Sequence, residues 1–174
     1  AASDVYKRQT GLFDKMTFAN EPLLDQPMGF NVWRAPTDND RKLKADWYAA
    51  HYDHAATNAY HTEYTVTASG VTLHTHVGIA AICVQKFLDL DVTWTVANNG
   101  SVDLALHAQR NTVFPELPRF GLRLFLPQEM SQVNYYGMGP MECYCDKHHA
   151  ASHNSYTATV WQLHEDYILS LIHI

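Results

Sequence analysis

No run of basic residues occurs anywhere in these 174 residues, and Asp and Glu outnumber Lys and Arg by 18 to 12. Nucleic-acid phosphates demand a clustered positive face, so a formal charge of -6 argues against nucleic acid as a partner. Long hydrophobic runs are missing too. No stretch reaches the length needed to cross a bilayer as a helix, which argues against a membrane span. Cysteine is scarce. Cys83, Cys143 and Cys145 cannot all pair, so this is no disulfide-built scaffold. Unpaired thiols lean toward a reducing, cytoplasmic compartment. The 8 Gly and 7 Pro are scattered at candidate strand ends, with no low-complexity linker and no internal repeat. What is present suffices for a core: 47% of residues are hydrophobic and 12% aromatic, in a length that allows one domain.

Period-two alternation dominates the chain. Leu88, Leu90, Val92, Trp94 and Val96 share one face of an expected strand, while Asp89, Asp91, Thr93 and Thr95 share the other. Such a strand is half buried and antiparallel, with one side facing water. Asn98-Asn99-Gly100 marks a turn, since Asn-Gly favours positive φ. Val102, Leu104, Leu106 and Ala108 then repeat the alternation. Further strands are expected near 11–18, 29–33, 62–68, 71–77, 120–126, 132–136 and 156–163. Strands at regular spacing with turn signals between them predict a β-sandwich. Trp94 sits on the apolar face of its strand and reads as core.

One segment departs from this pattern. Trp33-Arg34-Ala35-Pro36-Thr37-Asp38-Asn39-Asp40 packs an aromatic, an arginine, a proline and two carboxylates into eight residues. Pro36 pushes Ala35 into an extended conformation, so Trp33 to Pro36 reads as a strand end. Thr37, Asp38, Asn39 and Asp40 are all good helix N-caps. Leu43, Trp47, Ala50 and His51 fall at the spacing of one helix face, which predicts a short surface helix over 40–52. The plain reading is strand, cap and helix, with Arg34 paired to a cap carboxylate. The alternative is direct ligand contact from Arg34, Asp38, Asn39 or Asp40. A calcium loop fits poorly, because Lys42 and Lys44 stand where ligands and glycine belong.

A second segment, Tyr136-Gly137-Met138-Gly139-Pro140-Met141-Glu142-Cys143-Tyr144-Cys145-Asp146, opens on a sharp chain reversal. If the chain is extended beyond it, Glu142, Tyr144 and Asp146 lie on one face. They either grip a ligand's hydroxyls or tie down a long loop, since buried polar groups need partners. Cys143, Cys145, His148, His149 and His153 crowd together, but their spacing matches no tetrahedral zinc pattern. His74 and His76 share a strand face without an identifiable third ligand. No metal site is expected.

The first string resembles the WRAP-x-DND signature near the start of the last domain of family-2 glycoside hydrolases of the β-galactosidase type. The second resembles that domain's G-x-G-P-x-E-x-Y-x-D motif. The two occur in family order, and the resemblance covers approximately Thr10 to Ile168. It implies a galactose-mutarotase-like supersandwich: an all-β, partial antiparallel fold with one short surface helix. It implies a parent that hydrolyses terminal β-D-galactosides with retention, using two carboxyl groups about 5 Å apart. In the family both glutamates lie on a (β/α)8 barrel upstream, and a barrel alone needs about 250 residues. Neither glutamate carries over to a position in this chain, so the segment alone is expected to be inactive. The family's pocket tryptophan lies further along, and Trp33, Trp47, Trp94 and Trp161 do not take its role. The ligand contacts implied for Arg34, Asp38, Asn39, Asp40, Glu142, Tyr144 and Asp146 are with the sugar. No cofactor is expected in this segment.

Both ends read as foreign. Residues 1–9 and 169–174 resemble translated adapter sequence, leaving 10–168 as an incomplete sandwich domain. Its expected partners are the upstream barrel, the missing remainder of the sandwich, a β-galactoside substrate and further copies of a homo-oligomeric parent. Two other readings share the fold. One is a stand-alone sugar-binding sandwich. The other is an aldose epimerase-like enzyme, for which His74, His107 and Glu142 are nominal acid and base groups.

Overall fold

The computed structural model describes residues 3–82, 84–141, 143 and 148–163, with side chains from residue 6 onward. The chain divides into two compact units, Ala1–Pro127 and Gln128–Ile174. The first is an all-β sandwich of antiparallel sheets with short helical turns. One sheet has the order β1 (Ser3–Lys7), β2 (Leu12–Phe18) and β3 (Glu21–Pro22). A two-stranded ladder pairs β4 (Gln26–Asn31) with β9 (Gly121–Phe125). The largest sheet is a meander of β5 (Ala55–Thr67), β6 (Gly70–Ala81), β7 (Leu88–Ala97) and β8 (Val102–Arg110). In the second unit β10 (Gln132–Gly139) pairs antiparallel with β11 (Ser152–Thr159).

The alternation along β7 becomes a core. Leu88, Leu90, Val92 and Trp94 are 3%, 1%, 0% and 3% exposed. They pack with Val77 and Ile79 of β6, Leu12 and Phe13 of β2, and Met28 of β4. Phe13 meets Trp94 edge-on, with ring centroids 5.0 Å apart. The Trp94 indole donates to the Gly11 carbonyl at 3.2 Å, giving the buried N–H its partner. Gly11 has φ +71°, and a Cβ there would lie 2.8 Å from Val77 Cγ2, so only glycine lets the backbone approach this closely.

Several expectations need adjustment. The alternation of Val102, Leu104, Leu106 and Ala108 holds in register against β7, but Leu104 and Ala108 remain exposed. β8 is an edge strand, and only Val102 and Leu106 of that set pack, half-buried, against the core. In the turn after β7 only Gly100 of the Asn-Gly pair takes positive φ (+89°), and Ala97 donates to the Ser101 carbonyl. The single helix expected over 40–52 is three pieces: a 3-10 turn at Asp38–Lys42, α1 at Lys44–Ala49 and a second 3-10 turn at Tyr52–His54. His51, in the left-handed conformation (φ 55°), separates the last two. Trp47 and Ala50 are buried as their spacing predicts, whereas Leu43 and His51 face solvent and Tyr52 takes the buried place. Ser3–Lys7 pairs antiparallel with β2, and the Tyr6 hydroxyl bonds the buried Thr75 hydroxyl.

The two faces of β7 predict opposite mutational costs. Leu90→Ala lowers unfolding free energy in urea by about 2–5 kcal/mol. Thr95→Ala, on the outer face, changes it by less than about 0.5 kcal/mol.

Candidate functional site

The first motif folds around one ion pair. Pro36 carries the chain out of β4, and Thr37 takes an extended N-cap conformation (φ -89°, ψ 175°). Asp40, three residues on, turns its carboxylate back. Its Oδ2 accepts from the Thr37 backbone N–H at 2.8 Å and from the Thr37 hydroxyl at 2.9 Å. The Arg34 guanidinium closes on the same carboxylate with two bonds, Nη1 to Oδ2 and Nη2 to Oδ1, the latter at 2.8 Å. This is the planar two-point geometry that arginine offers and lysine does not. Arg34 holds the buried Asp40 carboxyl well below the usual carboxylate range; burial opposes the shift, and Thr37 adds to it.

The same guanidinium reaches beyond the motif. Its Nε donates to the Pro118 carbonyl at 3.1 Å, and its Cζ lies 5.1 Å from the Trp47 ring centroid, within cation–π range. Two neighbours repeat the gesture. The Trp47 indole donates to the Glu116 carbonyl at 2.9 Å, and the Tyr52 hydroxyl donates to the Pro115 carbonyl at 2.7 Å. Burial pushes the Tyr52 phenol above its ordinary value, which keeps it a donor. Arg110 at the end of β8 also holds the loop, through the Phe114 carbonyl at 2.6 Å and Glu116 at 2.7 Å. Four side chains thus hold a loop whose backbone lacks a ladder.

Of the motif's candidates, Arg34 and Asp40 are brought together, while Asp38 and Asn39 are exposed in the 3-10 turn. Beside the pair lies a cleft of about 640 Å³. Asn31 at the end of β4, Trp33, Arg34, Asp53, Arg119 and Arg123 line it. Asp53, Arg119 and Arg123 belong to no sequence motif. They meet because β4 pairs with β9 and the second 3-10 turn lies alongside, a long-range juxtaposition that spacing does not announce.

The second motif is only partly visible. Tyr136 to Gly139 finish β10, and the Gly139–Pro140 peptide bond is cis. The Tyr156 hydroxyl of β11 donates to the Gly139 carbonyl at 2.9 Å. Glu142, Tyr144 and Asp146 lie outside the described residues, as does Cys145. Among the described residues no group of three His, Cys, Asp or Glu side chains is arranged to hold a metal ion. His74 and His76 lie on the outer face of the four-stranded sheet. His74 Nδ1 is 3.0 Å from the Thr93 hydroxyl, and the two nitrogens of His76 lie 3.0 Å from Asp91 and 3.1 Å from Asp89. The hydrogen bond from His76 lowers the Asp91 carboxyl. No helix among the described residues is long and apolar enough to cross a membrane.

Comparison with known proteins gives a consistent result. The family model described as beta galactosidase small chain matches residues 3–170. A β-galactosidase of Actinobacillus pleuropneumoniae is 38% identical over 161 residues, which is 92% of this chain and 16% of that protein. One from Staphylococcus xylosus is 34% identical over 82% of this chain and 14% of its own length. One from Vibrio cholerae is 31% identical over 94% of this chain and 17% of its own length. The chain therefore spans about a sixth of the curated relatives it matches.

The ion pair has a pH signature. The folded Asp40 carboxyl titrates below its unfolded counterpart, so its contribution is complete above the unfolded value of about 3.9 and is lost as pH falls below it. Asp40→Asn strands a partly buried guanidinium and costs about 3 kcal/mol at neutral pH. The variant's stability then falls less steeply than the wild type's below about pH 5, as urea melts at several pH values would read.

Proposed function

This chain belongs to the β-galactosidase small-chain family, and from that premise we propose that it forms the supporting sandwich of a retaining β-galactosidase. The parent hydrolyses terminal β-D-galactosides. This segment braces the catalytic barrel and completes the mouth of its active site. The observation that supports the reading is the way the first motif is spent. Arg34 and Asp40 neutralise each other, and Arg34 ties down the loop at Pro118, so the charged pair of this string is used to build shape. Retaining hydrolysis needs two carboxyl groups flanking the scissile bond, one of them a nucleophile. A carboxylate locked by two arginine bonds and two threonine bonds is poorly placed for either role.

Within this proposal the segment needs no cofactor of its own, and residues 10–168 are the portion that belongs to the sandwich domain. Asp38 and Asn39 are exposed in their turn, which leaves them available for substrate or barrel contact, and Glu142, Tyr144 and Asp146 are further candidates for contact with the sugar. Its partners are the barrel, the rest of the sandwich and the substrate, in a cytoplasmic homo-oligomeric parent.

Two assays bear on this. The full-length protein carrying this segment turns over a chromogenic β-galactoside, and the 174-residue chain alone does not. A parent without turnover, or turnover by the isolated chain, overturns the reading.

A further inference from the structure

The cleft beside Arg34 contains groups that the scaffold leaves unsatisfied. Asp53 has one carboxylate oxygen 3.4 Å from His54 Nε2, while the other, Oδ1, is buried with no hydrogen-bond partner among the described residues. Buried carboxylate oxygens are costly to leave without donors. The side chain is nonetheless 23% exposed and lines the cleft. Arg119 and Arg123 line the same cleft, and among the described residues neither has a carboxylate within ion-pair distance. Arg123 instead lies over the Phe125 ring, its Cζ 4.7 Å from the centroid. Phe30 and Trp33 add apolar lining. The cleft, at about 640 Å³, falls within the size range of small-molecule sites, roughly 300–1,000 Å³.

A ligand for this cleft must donate to Asp53 and accept from the two arginines at once. A simple anion satisfies the arginines but sets a like charge beside Asp53. A simple cation does the reverse. Vicinal hydroxyls do both, because each hydroxyl is donor and acceptor together, and the carbon skeleton of a pyranose suits the apolar lining. We propose that the cleft bounded by Asp53, Arg119 and Arg123 is a non-catalytic binding site for a pyranose ring. Asp53 accepts from one ring hydroxyl, and the arginines donate to its neighbours. The inference is separate from the supporting role of the segment, which requires no sugar at this position.

The test is titration of the 174-residue chain with methyl β-D-galactopyranoside and with lactose, read by calorimetry and ligand-observed NMR. Inorganic phosphate serves as the anion control. Saturable sugar binding is expected with a dissociation constant on the order of 1 mM. Asp53→Asn, which keeps the side chain's shape, weakens it at least about tenfold, and so does the double variant Arg119→Ala/Arg123→Ala, which alters two exposed side chains. Thr95→Ala, on the outer sheet face, leaves it unchanged. A cooperatively folded chain without saturable sugar binding overturns the proposal. So does undiminished binding by the variants, or binding of phosphate in place of sugar. Hydrolysis by the full-length protein decides the supporting role and has no bearing on these outcomes.

Discussion

The Arg34 guanidinium is the point on which the region between β4 and β5 turns. It neutralises Asp40, lies against the Trp47 ring and donates to the Pro118 carbonyl. Those contacts join three consecutive pieces, the chain leaving β4, a capped turn and a helix, to a loop 84 residues away. The pairing works because every charge-bearing oxygen of Asp40 is used: two guanidinium bonds, a backbone N–H and a hydroxyl share the carboxylate. A buried carboxylate so fully served is stable in place. Lysine would supply the charge but neither the two-point geometry nor the stacking.

The four-stranded sheet sets the stage on which this bracing acts. The inner face of β7 is apolar and covered, while its outer face carries Asp89, Asp91, Thr93 and Thr95, with Asp91 between His76 and His107 and Thr95 between Thr72 and Asp103. Register places His61, His76, Asp91 and His107 in one row across all four strands. Asp91 lies between His76 and His107 in that row, so this carboxylate has an imidazole on each side rather than a like charge. A meander with one dry and one wet face holds a defined register, because a one-residue slip would carry β7's leucines into water.

How much of this was legible in advance depends on the range of the interaction. The strands and their faces were legible, because alternation is a local property of residues 88–96 and their neighbours. The family followed from two motifs in order. The Arg34–Asp40 pairing was readable as well, since it closes over six residues behind a proline and a threonine cap. The helix was misjudged where two short-range rules competed. The spacing of Leu43, Trp47, Ala50 and His51 suggested one continuous face, but His51 in the left-handed region breaks it, and Tyr52 is the residue that goes fully inside. The cleft was not legible at all. Asp53 sits in a turn after α1, Arg119 precedes β9 and Arg123 lies within it; the β4–β9 ladder brings this strand to the cleft.

Arg34 and its neighbours Arg119 and Arg123 show why a charged residue in a rare motif need not be the one that meets a ligand. A side chain whose hydrogen-bonding capacity is exhausted inside the fold contributes rigidity, and withdrawing it to serve a ligand would expose the partners it leaves behind. A side chain left with open capacity beside a concave surface can bind without dismantling anything. Arg34 and Asp40 belong to the first class, Asp53, Arg119 and Arg123 to the second. The distinction follows from hydrogen-bond accounting over the folded chain: the Arg34–Asp40 pair is committed within the fold, while Asp53 keeps one oxygen without a partner among the described residues.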